Sequence, residues 1–201
     1  MKNETNFEQI KVDAERISNL IKEHVKDENK KRLIFEMLEK IKKSYYTAPA
    51  SSRKQYHSSY PGGLIHHTLR VYDNIVRIAS ILAPDLSQES MVIVGLFHDL
   101  GKACTTSLQD VYTVNPSEWH RENLGEMYKY NPDIRDGLTH AQRSLRLLTH
   151  FNVPLTDDEY QTILFHDGQY IDENYTVKQK ESKLLNITHL ADYWTSHQEE
   201  I

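Results

Sequence analysis

Apolar residues recur every three or four positions through most of this chain, which favours helices with one buried face. Two amphipathic helices open the sequence, separated by a polar break at residues 27–29. Their apolar positions are Ala14, Ile17, Leu20, Ile21, Val25, Leu33, Ile34, Met37, Leu38 and Ile41. We predict an all-α protein in which residues 1–48 form a helical extension packed on a domain of residues 49–201. The opening helices suit packing, or assembly of a homo-oligomer.

The helical pattern weakens between residues 103 and 137, where polarity is mixed and aromatic residues are frequent. Short strands are expected at residues 111–114 and 127–130, with a turn or short helix beginning at residues 115–118. A long segment without a strong helical repeat inside a compact domain is often a functional lid. The alternative is a surface flap whose aromatic side chains simply pack down.

Candidate substrate contacts occur in this segment and in an earlier loop. Trp119, His120 and Arg121 would suit stacking on a base and holding a phosphate. The loop of residues 48–63 is rich in Pro, Gly and Ser. Loops of this kind often hold ligand contacts, although an ordinary solvated loop is the open alternative. The candidate contacts in this loop are Arg53, Lys54 and Tyr60.

Composition narrows the class of protein. The net charge of −5 argues against coating nucleic acid through bulk electrostatics, but a small phosphorylated ligand held by metal remains compatible. The single cysteine, Cys104, excludes an internal disulfide and a thiolate metal cluster, which favours a reducing cytoplasm. No apolar run is long enough to span a bilayer, and the first residues lack the apolar stretch of a signal peptide. The eleven histidines are the unusual count, so their positions matter.

A histidine and an aspartate follow the most apolar run of the chain. Residues 91–97 must be buried, and burying His98 and Asp99 at their end is costly unless something compensates the polar atoms. A metal ion would do so through one nitrogen and two oxygen donors. The alternative is an ordinary helix C-terminus, with Gly101 as the C′ residue and Lys102 facing the dipole.

The doublet His66-His67 is resolved by helical spacing. Steps from His67 reach Val71, Ile75, Ile78 and Leu82, whereas steps from His66 reach Arg70, Asp73, Asn74 and Arg77. We therefore expect His67 to face inward and His66 to face outward.

Three further candidates lie near helix ends in the second half of the chain. His140 faces inward near the start of one helix, which Pro154 terminates. Residues 156–159 form a capping box for the next helix, which ends at His166. Asp192 is an acid among apolar residues in a last helix that begins at about residue 181.

These residues together resemble the HD-domain superfamily of metal-dependent phosphohydrolases. The matching blocks are residues 62–71, 95–102, 163–166 and 190–192, and the similarity covers roughly residues 49–196. Two histidines between the His98-Asp99 pair and Asp192 point to the dinuclear branch. The resemblance implies an HD-domain helical bundle with an N-terminal helical pair and a mixed insertion of loop and short strands.

The resemblance also implies a ligand set for two divalent ions drawn from Mn, Fe, Co, Ni, Zn or Mg. One ion would be held by His67, His98, Asp99 and Asp192, and Asp99 would bridge to a second ion held by His140 and His166. Lys102 matches a lysine that approaches the phosphate in many relatives, so Asp99 and Lys102 are the expected catalytic pair.

The implied function is hydrolysis of a nucleotide, cyclic nucleotide or short oligonucleotide by a metal-activated water. The loop at residues 60–63 most resembles a bacterial 3′-to-5′ exoribonuclease group. That group also carries an oligonucleotide-binding domain, which we do not expect in this sequence, so processive RNA degradation is not implied. A mixed-valence di-iron oxygenase with the same ligands is one alternative. A non-catalytic nucleotide-binding regulator is another, although the full ligand set argues against it.

Overall fold

Helices dominate the computed structural model, which describes residues 7–169 and 171–199. The α-helices are α1 (Phe7–His24), α2 (Glu28–Thr47), α3 (Gly63–Leu82), α4 (Gln88–Phe97), α5 (Glu118–Asn123), α6 (His140–His150), α7 (Asp157–Phe165) and α8 (Lys183–Trp194). The strands are β1 (Tyr112–Val114) and β2 (Tyr128–Tyr130). Short 3-10 turns lie at Leu100–Lys102 and Asp172–Val177, and a π-helical turn lies at Thr195–Glu199. The prediction of a mostly helical protein is confirmed.

Helix α3 lies at the centre of the packing. It contacts α1, α2, α4 and α8, so the N-terminal helices share one hydrophobic core with the rest of the chain. Ile17, Ile34 and Met37 are fully buried in that core. The buried Tyr45 of α2 donates a hydrogen bond to the carbonyl of Leu96 in α4 at 2.8 Å. The apolar faces of the opening helices therefore pack within the chain; the domain boundary at residue 48 and assembly through these helices remain predictions.

Side-chain caps fix where several helices begin. Thr139 and Thr156 each accept a hydrogen bond from the third residue of α6 and α7, and both helices have complete capping boxes. The box predicted at residues 156–159 is thus confirmed. Because Thr139 caps α6, His140 is held as the first residue of that helix.

The end of α4 differs from a simple helix terminus. His98 is the C-terminal cap and the chain continues into the 3-10 turn without a left-handed residue at Gly101. A Cβ atom on Gly101 would lie 2.1 Å from the carbonyl oxygen of His140, so glycine is needed there for close approach of α6. The interpretation of Gly101 as a left-handed C′ residue is therefore wrong.

The insertion between α4 and α6 contains the two predicted strands, each one residue shorter at its start than expected. They pair antiparallel, with Tyr112 opposite Tyr130 and Val114 opposite Tyr128. Helix α5 follows Ser117, whose hydroxyl accepts a hydrogen bond from the backbone of His120.

The predicted faces of α3 are confirmed at His67 and corrected elsewhere. Leu82, which the helical spacing predicts to be buried, is 65% exposed, because it is the last residue of the helix. Asn74, which the helical spacing predicts on the polar face, is buried, and its amide donates to Thr195 and Glu199 at 2.9 and 3.1 Å.

Within the described residues, no helix is both long and apolar enough to cross a membrane.

Candidate metal centre

The side chains predicted as metal ligands converge on one point of the helical bundle. They come from five helices or helix ends and are His67, His98, Asp99, His140, His166 and Asp192. Three overlapping groups of these residues have ligand atoms within 4.8 Å of one another. Residues separated by up to 125 positions in sequence thus form one cluster.

Asp99 lies at the middle of this cluster, and its two oxygens face different histidine pairs. Oδ2 is 3.6 Å from Nε2 of His67 and 3.6 Å from Nε2 of His98. Oδ1 is 3.4 Å from Nε2 of His140 and 3.4 Å from Nε2 of His166. A carboxylate in this position can serve two cations, one on each side. Asp192 joins the first pair, since its Oδ1 is 3.2 Å from Nε2 of His67.

Backbone carbonyls orient two of the imidazole rings. Nδ1 of His98 contacts the carbonyls of Val94 and Gly95 at 3.1 and 3.2 Å, and Nδ1 of His166 contacts that of Ile163 at 2.9 Å. A carbonyl can only accept, so each Nδ1 carries the proton. In the neutral ring Nε2 then presents its lone pair to the cluster, as a metal-ligating histidine does.

Two buried atoms of the cluster lack hydrogen bonds. In the chain as described, Nε2 of His98 and Oδ1 of Asp99 are shielded from solvent and have no hydrogen-bond partner. Leaving such groups unsatisfied costs about 1–3 kcal/mol each, more when the group is charged. A cation would satisfy both, and a donor set of imidazole nitrogens and carboxylate oxygens suits a transition-type divalent ion. The buried histidines and aspartates could therefore coordinate metal ions.

The electrostatics keep the carboxylates ionised. Burial would raise the pKa of Asp99, but Lys102 and His98 hold it well below its ordinary value. Burial lowers the pKa of His98 to about 4 against the opposing effect of Asp99. Burial would also lower the pKa of His166, yet contact with Asp99 and the nearby Asp167 raises it to about 9. Asp99 is thus an anion that stabilises positive charge on its neighbours.

Lys102 completes the charged cluster from the 3-10 turn after α4. Its ammonium donates to Oδ2 of Asp99 at 2.6 Å. Burial would lower the pKa of Lys102, but the carboxylate of Asp99 raises it. The lysine is therefore a cation beside the cluster rather than a metal ligand.

Two residues of the site were not predicted. One is Asp167, whose Oδ2 lies 3.2 Å from Nε2 of His140 and whose Oδ1 lies 3.9 Å from Nε2 of His166. Burial would raise the pKa of Asp167, but these two histidines lower it to about 2. The ring of His57 lies against that of His67, with centroids 4.7 Å apart. The signal for Asp167 was available: like Asp99, it is a carboxylate directly after a candidate histidine. His57 is the histidine of the 48–63 loop, and no spacing rule connects it to α3.

A cavity of about 550 Å³ opens beside the cluster. The cluster side contributes Lys102, Tyr112, His166, Asp167 and Asp192. The π-helical turn contributes Ser196 and His197, and the loop contributes Ala50, Ser51, Ser52, Gln55, Tyr56 and His57. A small molecule entering here would reach the cluster through neutral polar and aromatic walls.

The loop residues predicted to bind substrate are not among the residues that line this cavity, and their role stays a prediction. Arg53 forms an ion pair with Glu126 at 3.2 Å. The backbone N–H of Lys54 donates to Gly125 at 2.7 Å. The ring of Tyr60 lies 6.3 Å from that of His66. The cavity is lined instead by their neighbours Gln55, Tyr56 and His57.

The predicted lid residues are also occupied locally. Arg121 donates to the carbonyl of Asn115, His120 contacts the hydroxyl of Ser117 at 2.6 Å, and Trp119 is 59% exposed. None of the three lines the cavity as the structure describes it, whereas Tyr112 of β1 does. Their role in substrate binding stays a prediction.

His66 points away from the cluster, as its helical face predicts. Its Nδ1 lies 3.4 Å from Oδ2 of Asp13 in α1. The outward assignment is confirmed, although the neighbour is another helix and the side chain is only 28% exposed.

Comparisons of the chain with protein-family models, with curated proteins and with solved structures give no match. A function for this chain must therefore be argued from the geometry of its own residues.

Proposed function

We propose that this protein is a metal-dependent phosphohydrolase that cleaves a phosphoester or phosphoanhydride of a small, nucleotide-like substrate. The main observation behind this proposal is the position of Asp99. Each of its two carboxylate oxygens lies 3.4–3.6 Å from the Nε2 atoms of a different pair of histidines. This is the arrangement expected of a carboxylate that bridges two divalent ions.

The proposed ligands divide into two sets. His67, His98 and Asp192 would hold one ion together with Oδ2 of Asp99. His140 and His166 would hold the other together with Oδ1, and Asp167 lies close enough to both histidines to add a carboxylate. Such nitrogen and oxygen donors fit Mn, Fe, Co, Ni or Zn, and Mg less closely.

Two divalent ions would supply an activated water and neutralise charge on a phosphoryl group. Lys102 would stabilise the charge that develops on the phosphoryl oxygens, since its ammonium lines the cavity beside Asp99. The carbonyls of Val94 and Ile163 hold the rings of His98 and His166 in the ligating tautomer. Burial of the Asp99 side chain excludes bulk water from beneath the reacting group.

The resemblance to the HD-domain superfamily supports this proposal. The residues that carry the resemblance were separate blocks of sequence, and the same residues meet beside a cavity of suitable size for a nucleotide.

The experiment is a metal analysis combined with a hydrolysis assay on the same preparation. We expect about two metal ions per chain and hydrolysis of bis(p-nitrophenyl) phosphate that is lost on chelation and restored by Mn²⁺ or Co²⁺. Hydrolysis unaffected by chelation, or metal-loaded protein inert toward all phosphoesters, would contradict the proposal. Bound iron with oxygen consumption and no phosphatase activity would favour the oxygenase alternative.

A further inference from the structure

The cavity beside the metal centre is poor in cations. Among the described residues that line it, Lys102 is the only lysine or arginine, and its ammonium already contacts Asp99. Asp167 and Asp192 add carboxylates to the lining near the cluster, and His166, which also lines the cavity, would be a neutral ligand once a metal ion is bound. One anionic group can be neutralised by Lys102 and the proposed metal ions, and anionic groups farther from the cluster would meet neutral walls.

Other arginines that a polyphosphate could use have partners elsewhere. Arg53 pairs with Glu126, and the buried Arg143 pairs with Asp136 at 2.9 Å. Arg121 donates to a backbone carbonyl within the insertion. Recruiting any of them would break an existing contact, which lowers the gain from binding additional phosphates.

The walls of the cavity offer aromatic surface instead of charge. Tyr56 is 55% exposed on the loop wall. His197 of the π-helical turn also lines the cavity, and its ring stacks on Tyr193 with centroids 4.3 Å apart and an interplanar angle of 19°. Its Nδ1 also lies 3.0 Å from the carbonyl of Tyr193, which fixes the ring orientation.

The π-helical turn that carries His197 is anchored to neighbouring helices. Asn74 donates to Thr195 and to Glu199, and Arg70 donates to the carbonyl of Glu199 at 3.0 Å. Nε1 of Trp194 donates to the Glu199 carboxylate at 3.2 Å. The wall is therefore arranged before a ligand arrives, which reduces the entropic cost of binding.

We infer that the preferred substrate is a nucleoside with a single phosphoryl group, a monophosphate or a phosphodiester, whose base rests on Tyr56 and His197. The inference rests on the proposed function and narrows its substrate class. The phosphoryl group lies at Lys102 and the cluster, and the sugar and base lie against the neutral hydroxyl, amide and aromatic side chains of the walls. Nucleoside triphosphates are disfavoured, because their outer phosphates find no free cation among the lining residues described.

Binding tests the inference independently of turnover. The probes are a nucleoside 5′-phosphonate, in which carbon replaces the ester oxygen, and a triphosphate with methylene bridges, both resistant to hydrolysis. Calorimetry on the metal-loaded protein should give at least tenfold tighter binding of the phosphonate. Tyr56→Ala and His197→Ala should each weaken it roughly tenfold, as loss of a base-stacking surface does. Tyr56→Phe and His197→Phe should retain most of the affinity.

His150→Ala is the matched control, because His150 is a histidine of α6 that lines a different cavity. It should leave phosphonate binding unchanged. Equal or tighter binding of the triphosphate, or unaltered binding in both alanine variants, would overturn the inference. Selective phosphonate binding without hydrolysis of any phosphoester would instead overturn the proposed function, so the two failures are distinguishable.

Discussion

Two buried groups of charged side chains in this protein differ in how completely their polar atoms are hydrogen-bonded. One joins Lys30 of α2 to Glu159 of α7 at 3.0 Å and to Glu89 of α4 at 3.1 Å. The other is the histidine and aspartate cluster around Asp99. Both lie inside the bundle and connect helices far apart in sequence.

The Lys30 group is satisfied within the protein. Both oxygens of Glu159 accept from Lys30, Oε1 also accepts from the hydroxyl of Ser90, and Oε2 accepts from the backbone of Thr156. The Asp99 cluster instead has buried atoms without hydrogen bonds, and it lies beside a cavity. A complete charge network is what a structural role requires, whereas an incomplete one next to a cavity indicates a ligand site.

The largest expected effect comes from Asp99. Asp99→Asn should empty both metal positions and abolish hydrolysis, because one carboxylate serves both sides of the cluster. His140→Ala should mainly empty one position. Mass spectrometry measures the metal content of each variant, and circular dichroism checks that each variant is folded. Glu159→Gln, which alters the Lys30 group, is the control and should keep its metal. Full metal occupancy in Asp99→Asn would refute the bridging assignment.

Breaking the Lys30 group should affect stability and leave metal content unchanged. Lys30→Met leaves Glu159 buried without its cation, which should cost about 3–5 kcal/mol in the free energy of unfolding. Combining it with Glu159→Leu should recover part of that loss, since the uncompensated charge is then gone. Urea denaturation measures both. A double variant no more stable than Lys30→Met would show that Glu159 stabilises mainly through its helix cap.

Lys102 should separate catalysis from metal binding. Loss of a charge directed at the transferring phosphoryl group typically lowers turnover roughly 10²- to 10³-fold. Lys102→Ala should therefore keep both metal ions and turn over slowly. Steady-state kinetics and metal analysis on the same sample measure the two effects. Loss of metal in Lys102→Ala would show instead that Lys102 positions Asp99 for metal binding.

The comparison also explains what could be predicted from sequence. Periodicity placed His67 on the inner face of α3, and the apolar run before His98 and Asp99 indicated burial at a helix end. Lys30 was not predicted, because its partners lie 59 and 129 positions away. The same holds for His57, whose approach to His67 depends on how the 48–63 loop folds back.

Some predictions failed because local rules were applied where tertiary contacts decide. Glycine is required at position 101 by the close approach of α6 and not by a helix cap. Arg53 and Lys54 have the right charge for a phosphate, and their role in substrate binding stays a prediction. The residues that follow them in the loop, Gln55, Tyr56 and His57, are the ones that line the cavity.

Removing the metal should make the stability of the protein depend on pH in two directions. His166 has a raised pKa of about 9, so its stabilising protonation is lost as pH rises from about 6.5 through 9. His98 has a lowered pKa of about 4, so stability falls as pH drops from about 6.5 toward 4. Thermal unfolding of chelated protein should therefore show maximal stability near pH 6.5. Metal-loaded protein should lose the alkaline decline, and identical profiles in both forms would contradict the metal assignment.

The smallest expected effect concerns the histidine doublet. His66 contacts Asp13 of α1 and has no atom in the cluster as described, so His66→Ala should leave metal content and turnover nearly intact. Loss of one partly exposed contact should change stability by less than about 1 kcal/mol. His67→Ala, one residue away on the same helix, should abolish activity while the protein stays folded, because its Nε2 faces both Asp99 and Asp192. The two variants form a matched pair, which metal analysis, kinetics and thermal unfolding compare. Loss of metal and activity in His66→Ala but not in His67→Ala would place the functional face of α3 on the side of α1.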